Sequence, residues 1–288
     1  MEQQARKLDP TREEYDALGH GVPACPAVTD VLAAHTHASV AIADIQFADL
    51  DYRQATRTME RLAMGDDLGH FVVLANAHTI NLALSDSDYH AILRRACVVL
   101  RDGIGISIAA RLFGGVLHNN FVGTDFVPAF LGDLAPRRPR VFLYGARPGR
   151  AETAARVLAA TCPGVDIVGC EHGYVRACDV VGKIADLEPH LLLVALGNPL
   201  QERWIAENIE ASRAHLAIGV GALFDYLAGA VPRAPAWVRA ARFEWLYRLA
   251  VEPRRLWRRY ILGNPVFLSR IAARAAAERL RSSQARQP

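Results

Sequence analysis

The sequence predicts an α/β protein: a parallel, Rossmann-like sheet with helices on both faces, followed by an arginine- and tryptophan-rich helical appendage at the carboxyl end. Short apolar runs alternate with stretches of helical periodicity, and glycine or small polar residues punctuate each change. Strands joined through helices form parallel sheets that are covered on both faces. After Pro232 the composition changes to arginine and tryptophan, which separates the appendage from the sheet domain.

The predicted elements follow one another regularly along the chain. Residues 1–38 show little periodicity and are interpreted as an irregular extension, residues 39–231 as the α/β domain, which would carry any catalytic site, and residues 232–288 as the appendage. Continuous apolar runs predict strands at 40–47, 71–75, 97–100, 140–144, 165–168, 191–196 and 217–220. Stretches with the apolar periodicity of a helix predict helices at 52–64, 80–84, 106–113, 125–134 and 151–160 and a short helix that ends at Gly229.

Composition and charge narrow the class of protein. The chain has 288 residues, of which 51% are hydrophobic and 22% charged, as in globular proteins with one large core or two smaller ones. Residues 232–288 carry 13 arginines against three glutamates, a net charge of +10, and the other 231 residues carry 20 basic and 27 acidic groups, a net −7. A basic segment on an acidic body indicates an anionic partner, such as a membrane surface, a phosphorylated ligand or nucleic acid.

Cysteine usage and hydropathy predict the compartment. The five cysteines form no C-x-x-C pair, which argues against a disulfide framework or a zinc site and fits a reducing cytoplasm. The first 21 residues lack the apolar core of a signal peptide. Asp225 interrupts the most apolar segment, so no stretch reaches the roughly 20 apolar residues that a spanning helix needs. We therefore expect a cytoplasmic protein whose membrane contact is peripheral.

One corner, within residues 96–112, joins a buried strand to a helix through Asp102, Gly103 and Gly105. In an open α/β sheet, ligands bind at the carboxyl ends of the strands, where such corners lie. A carboxylate there can accept a proton from a bound hydroxyl. The alternative is structural, because an acid before a glycine often caps a helix or fills a turn. Asp102 is therefore a candidate catalytic base, with a capping role as the alternative.

Other corners of the same kind carry amides or glycine. Asn76 follows the second predicted strand, and the glycine-rich corner that begins at Gly145 opens a helix, where backbone N–H groups can bind phosphate. Asn198 as N-cap, Pro199 in the first turn and Gln201 three residues after the cap predict a capping box. A capping glutamine can still face a ligand.

Motifs for other chemistries are weak. The D-x-D triplets at 49–51 and 86–88 could form the carboxylate clamp that holds a divalent cation on a diphosphate, but neither closes a convincing strand. The G-x-G-x-x-G fingerprint of dinucleotide-binding proteins fails because Ile108 stands where its third glycine belongs. The residues thus predict no metal site, while a nucleotide-dependent oxidoreductase and a basic nucleic-acid-binding module stay as alternatives.

A more specific signal comes from six motifs that occur in this order: LRDGIGISIAARL, VFLYGARPGRAETAA, LLLVALGNPLQERWI, IGVGALFDYLAG, RAPAWVR and FEWLYRLAVEPRRLWRRY. Over about residues 40–268 the chain resembles the WecG/TagA/CpsF family of bacterial glycosyltransferases, glycosyltransferase family 26. The resemblance implies an inverting, metal-independent transfer of a hexose from a UDP-sugar to a sugar linked to undecaprenyl diphosphate, in the assembly of surface polysaccharide or glycolipid. It implies no cofactor besides the donor, an anionic membrane surface on the cytoplasmic side as a partner and no nucleic acid, and it leaves a homo-oligomer open.

The resemblance also implies roles for residues of this chain. Asp102 matches the family's proposed base, and Gln201 matches a glutamine important for activity. Asn76 matches an asparagine of the pocket, and Asp225 matches a residue on the nucleoside side. Three arginines of the appendage match residues thought to hold the acceptor diphosphate: Arg248, Arg255 and Arg258.

Two positions depart from the family pattern. Leu74 stands where many members have threonine, and Asn120 stands where many have arginine, both at the sugar or phosphate side of the pocket. N-acetylmannosamine, its uronic acid and glucose all occur as donor sugars in the family. The loss of a cation argues against an acidic donor, and the donor sugar otherwise stays open.

The appendage contains a predicted amphipathic helix. Pro253 can start a helix, and at about 100° per residue the arginines of residues 254–261 fall on one half of it and the apolar and aromatic side chains on the other. The apolar half either packs on the main domain or lies at a membrane surface, with the arginines on anionic lipid and on the acceptor diphosphate. The two uses are compatible if the aromatic edge contacts lipid.

Overall fold

The computed structural model of the chain describes residues 38–235, 237–238 and 244–284. The strands are β1 (Ser39–Ile42), β2 (Ile45–Ala48), β3 (His70–Ala75), β4 (Val98–Arg101), β5 (Arg140–Gly145), β6 (Asp166–Glu171), β7 (Leu191–Ala195) and β8 (Leu216–Gly219). Strands β3 to β8 form a six-stranded sheet in the order β4-β3-β8-β7-β5-β6, and every neighbouring pair is parallel. The predicted parallel α/β fold is confirmed.

The helices follow the strands as the alternating pattern predicts. In the main domain they are α1 (Tyr52–Met64), α2 (Ala77–Ala83), α3 (Ser87–Arg95), α4 (Ile104–Leu112), α5 (Gly123–Leu134), α6 (Arg150–Thr161), α7 (Ala177–Leu187), α8 (Leu200–Asn208) and α9 (Leu223–Leu227), with a 3-10 turn at Ala135–Arg137. The appendage contributes α10 (Glu244–Val251), α11 (Pro253–Trp257), a π-helical segment (Arg258–Leu262) and α12 (Gly263–Gln284).

The apolar strands separate two packed layers. In β7, for example, Leu191 and Leu193 point into one layer and Leu192 and Val194 into the other. The first layer contains side chains of α1, α5, α6 and α9, and the second contains side chains of α2, α3, α4, α7, α8 and α12. Both faces of the sheet are therefore covered, which explains why its central strands are almost wholly apolar, whereas the edge strand β6 is partly exposed.

One predicted element is wrong. Residues 40–47 form not one strand but an antiparallel hairpin of β1 and β2, in which Ile42 pairs with Ile45. The two residues between them, Ala43 and Asp44, have φ angles of 53° and 64°. Two central residues with positive φ form the tight turn that suits a hairpin. The apolar alternation runs on through this turn, so the sequence gives little sign of it.

The appendage packs on the main domain through α12. Phe267 and Ile271 are fully buried in the second layer. Arg270 donates hydrogen bonds to the Asn81 carbonyl and to Ser85 Oγ, at 3.3 and 2.6 Å. These contacts dock the last helix against α2 and α4, so the appendage forms part of the same structure as the sheet.

The predicted division into an extension, a sheet domain and an appendage stays a prediction. Of the predicted extension, residues 1–37 lie outside the described residues. The division at residue 232 stays a prediction. Among the described helices, none is long and apolar enough to span a membrane.

Candidate active site

A cleft of about 1890 Å³ lies at the carboxyl edge of the sheet. Its walls come from the segments after β3, β4, β5, β7 and β8, and the appendage closes one side with α10 and residues 256–270. The carboxyl edge is where an open α/β sheet binds its ligands. Six of the predicted site residues line this cleft: Asn76, Asp102, Gln201, Asp225, Arg248 and Arg258.

Asp102 lies directly after β4 and is half-buried in the cleft wall. Its N–H donates to the Ala75 carbonyl at 2.8 Å, which ties the ends of β3 and β4 together. Gly103, with a φ of 95°, is the N-cap of α4, and as a glycine it has no side chain that could cap the helix. Asn120 Oδ1 accepts a hydrogen bond from Gly103 N at 2.6 Å and fixes the turn beside Asp102. Asp102 lies directly before this N-cap residue, and both its role as a base and the alternative role in capping or filling the turn stay predictions.

Asn76 caps α2 and lines the cleft at the same time. Its Oδ1 accepts hydrogen bonds from the N–H groups of His78 and Thr79, at 3.0 and 3.2 Å. Because the amide oxygen is turned toward the helix, the NH2 group is what Asn76 can offer to a ligand. Asp225 lies in the first turn of α9, on the wall that β8 leads to.

His78 also lines the cleft, although the sequence did not single it out. Burial, and secondarily the positive charge of Arg259 from the appendage, lower the pKa of His78 to about 4. The imidazole is therefore neutral near pH 7. The available signal was its position two residues after Asn76, the N-cap residue that follows β3.

Gln201 takes part in a buried network, and the predicted capping box is wrong. The N-cap of α8 is Pro199, which makes no side-chain capping hydrogen bond. Instead, Gln201 Oε1 accepts hydrogen bonds from the N–H groups of Gly197 and Gly221, at 3.1 and 3.0 Å. Asn198 Nδ2 donates to Glu202 Oε1 at 2.7 Å rather than capping α8. The side-chain oxygen of Gln201 that a capping box would use is thus occupied by N–H groups of the loops after β7 and β8.

Guanidinium groups from both the sheet domain and the appendage reach the cleft. Arg101 is buried, and its Nη1 donates to Ser107 Oγ and to the Leu117 carbonyl, at 2.5 and 2.7 Å. Arg248 lies 5.5 Å from the centre of the Tyr226 ring. The lining arginines are Arg101, Arg147, Arg248, Arg258, Arg259 and Arg270, and the side chain of Arg255 lies outside the described part of the chain. Guanidinium groups bind phosphate oxygens in bidentate fashion, so this lining suits a diphosphate.

The glycine corner after β5 reaches the cleft through its second and third residues. Gly145 has a φ of 124°, and a Cβ there would lie 2.6 Å from the carbonyl carbon of Ala195. Only glycine fits this turn. The cleft itself is lined by Ala146 and Arg147, so Gly145 shapes the corner while its neighbours contact the ligand space.

All four carboxylates of the two D-x-D triplets have hydrogen-bond partners within the fold. Asp51 caps α1 in a capping box with Gln54. Asp86 caps α3 and pairs with Arg203 at 2.5 Å. Asp49 accepts hydrogen bonds from His118, while Asp88 is exposed and lies 3.4 Å from Ser87 Oγ. The structure therefore gives these acids ordinary folding roles, and none of them lines the cleft.

These features define a doubly wound α/β protein with a polar, arginine-lined cleft at the carboxyl edge of its sheet. Residues 40–282 match the Glycosyl transferase WecG/TagA/CpsF family. The chain belongs to this family of glycosyltransferases, and the resemblance seen in the sequence motifs is confirmed.

Several bacterial enzymes are similar over most of their length. A protein of Bacillus spizizenii is 34% identical over 232 residues, which cover 80% of this chain and 89% of the relative. One of Bacillus subtilis is 32% identical over 204 residues, covering 70% and 79%, and one of Staphylococcus aureus is 29% identical over the same length. All three are named N-acetylglucosaminyldiphosphoundecaprenol N-acetyl-beta-D-mannosaminyltransferase.

Proposed function

We propose that this chain transfers a hexose from a UDP-sugar to the sugar of an undecaprenyl-diphosphate-linked acceptor, with inversion at the anomeric carbon. The observation that supports this most is the place of Asp102, a carboxylate in the wall of a cleft that arginines of both the sheet domain and the appendage line. One cleft thus offers a base and cations for two diphosphates, that of the donor and that of the acceptor. The names of the Bacillus relatives make UDP-N-acetylmannosamine the first donor to test.

Asp102 acts as the general base in this proposal. Its carboxylate takes the proton of the acceptor hydroxyl, and the oxygen forms a bond to the anomeric carbon of the donor. The bond from that carbon to the diphosphate oxygen breaks, and UDP departs with the electron pair. Because the attack and the departure occur on opposite faces of the sugar in one displacement, the configuration inverts.

Arginines and backbone N–H groups stabilise the departing diphosphate. Arg147 and the corner after β5 lie on the sheet side of the cleft, and Arg248 and Arg258 approach from the appendage. Preorganised donors aimed at developing negative charge account for a large share of catalysis in such reactions. We propose that they serve in place of a metal, so a chelator leaves the transfer rate within about twofold. A strict requirement for manganese or magnesium would contradict this.

The appendage carries the proposed membrane contact. Leu256 packs inward, whereas Trp257 and Ile261 are 42% and 53% exposed and Leu262 is 53% exposed. Arg254 and Arg258 are exposed in the same segment. Apolar and aromatic side chains next to arginines favour the interface of an anionic membrane. We propose that this surface places the enzyme on the inner face of the membrane, where a lipid-linked acceptor reaches the cleft.

Transfer from a panel of UDP-sugars to synthetic prenyl-diphosphate sugars tests the proposal. We expect one donor to give a product of inverted anomeric configuration by NMR, with activity that depends on Asp102. Transfer to the same sugar without its diphosphate is expected to be slow, because the appendage arginines then have no ligand. Hydrolysis alone, or retention of configuration, would contradict the proposal.

A further inference from the structure

The amide side chains of the β7–α8 corner converge on one buried carboxylate. Glu202 Oε1 accepts hydrogen bonds from Asn198 Nδ2 at 2.7 Å and from Gln201 Nε2 at 2.8 Å. Its Oε2 accepts from the Tyr89 hydroxyl of α3 at 3.0 Å. Glu202 is buried and lies behind the cleft wall, whereas Asn198 and Gln201 line the cleft.

The hydrogen bonds that Glu202 accepts determine the direction in which both amide groups point. An amide whose NH2 group is directed at the carboxylate presents its carbonyl oxygen on the other side. For Gln201 that oxygen meets the N–H groups of Gly197 and Gly221, and so joins the loop after β7 to the loop after β8. Gln201 also lies against Gly219, where a Cβ would come within 2.6 Å of Nε2, so the amide has little room to turn.

Asn198 is in a different position, because its carbonyl oxygen has no hydrogen-bond donor among the described residues. Its NH2 group is committed to Glu202, and its side chain lines the cleft. What Asn198 can offer a ligand is therefore an acceptor oxygen. Such an oxygen recognises a hydroxyl or an N–H group, both of which sugars and acetamido sugars carry.

We propose that Glu202 is a positioning residue that orients Asn198 and Gln201, and that Asn198 Oδ1 thereby binds a hydroxyl or N–H donor of a sugar substrate. This inference rests on the proposed function for the nature of the ligand, and on the hydrogen bonds alone for the orientation. Burial raises the pKa of Glu202 against the effect of its donors. In either protonation state Oε1 can accept both amides, because the Tyr89 hydroxyl can donate to Oε2 or accept from it.

The first measurement follows the side-chain amide resonances of Asn198 and Gln201 by NMR in the full chain and needs no activity. We expect both amides to be protected from exchange in the wild type and in Glu202→Gln, whose carbonyl oxygen can replace Oε1. In Glu202→Met both amides are expected to lose that protection. Arg203→Gln is the matched control, because it breaks the neighbouring Arg203–Asp86 bond between the same two helices without touching the amides. Protected amides in Glu202→Met would overturn the proposal.

The second measurement is the kinetics of transfer with donor and acceptor varied separately. Asn198→Ala is expected to raise KM for one of the two substrates about tenfold with a smaller change in kcat. The substrate whose KM rises is the one that carries the recognised group. Glu202→Met is expected to lower kcat/KM about 100-fold, Glu202→Gln less than threefold, and Glu202→Met added to Asn198→Ala is expected to raise that KM no further.

The outcomes separate the two proposals. An unchanged KM for both substrates in Asn198→Ala overturns the role of Asn198, even if Glu202→Met does not fold. A loss in Glu202→Gln as large as in Glu202→Met shows that charge matters rather than orientation, and also overturns the inference. A wild type that transfers no sugar contradicts the proposed function, while the amide resonances still decide the orientation.

Discussion

The sheet edge and the appendage line the same cleft but differ in how their side chains are held. On the sheet edge, Gln201 and Glu202 are buried, and their polar atoms have partners at 2.7 to 3.1 Å. In the appendage, Trp257, Ile261 and Leu262 leave much of their apolar surface exposed. A hydrogen-bonded wall fixes its groups before a substrate arrives, whereas an exposed apolar surface is stabilised by a partner. In the proposed function, chemistry therefore belongs to the sheet edge and acceptor access to the appendage.

The largest expected effect is on the sheet edge. Asp102→Asn keeps the shape of the side chain but removes its basicity, so kcat is expected to fall about 100-fold or more. UDP binding, measured by calorimetry, is expected to change less than about threefold, because the amide keeps the same volume. Near-normal turnover would show that Asp102 is not the base and that the sheet edge does not catalyse the reaction.

A second prediction concerns the docking of the appendage. Phe267 is fully buried and faces Gly105 of α4, where a Cβ would lie 3.6 Å from the ring. Phe267→Ala is expected to cost about 3 to 5 kcal/mol of packing, enough to loosen α12. We expect transfer to a prenyl-diphosphate acceptor to fall about 30-fold while UDP binding stays within about threefold.

Leu280→Ala is the matched control for this variant, because Leu280 lies on the same helix but is 65% exposed. Leu280→Ala is expected to leave two rates unchanged: the rate of transfer, and the rate at which a protease cleaves α12, which increases when the helix is loosened. Equal losses of donor binding and acceptor transfer in Phe267→Ala would contradict separate roles for the sheet edge and the appendage.

The main domain could be predicted well where its signals are local. Helix α1 was predicted with its observed bounds, Tyr52–Met64, because Asp51 caps it and one face is apolar. The hairpin was missed because no glycine marks the turn, although Ala43 and Asp44 both adopt a positive φ. The network of Gln201 could not be predicted, since Gly221 and Tyr89 come from distant parts of the chain and sequence spacing favoured a local cap.

Substitutions in the proposed membrane contact of the appendage are expected to have a smaller effect than those at Asp102 and Phe267. Trp257→Ser with Ile261→Ser removes apolar area worth roughly 1 to 2 kcal/mol in contact with lipid, so binding to anionic vesicles is expected to weaken about tenfold. Transfer to a short, soluble prenyl acceptor is expected to stay near that of the wild type. Leu68→Ser is the control, because Leu68 is 45% exposed but precedes β3 at the amino edge of the sheet, away from the cleft. Equal losses of vesicle binding in both variants would contradict a specific membrane surface.

The smallest effect on transfer is expected where the two regions meet, at His78 and Arg259. The change predicted there is in the pH dependence of stability. Between pH 6.5 and about 4 the unfolded chain binds a proton at His78 and the folded chain does not, so stability falls as the pH decreases through this window. His78→Gln is expected to flatten that part of the profile of melting temperature against pH.

Arg259→Gln sharpens the comparison further, because burial is the main cause of the lowered pKa of His78 and Arg259 the lesser one. Removing the guanidinium is expected to raise the pKa of His78, followed by NMR titration, by less than about one pH unit. If the appendage did not cover the cleft in solution, His78 would be exposed and far from Arg259. Its pKa would then lie near 6.5 already in the wild type, and Arg259→Gln would not change it.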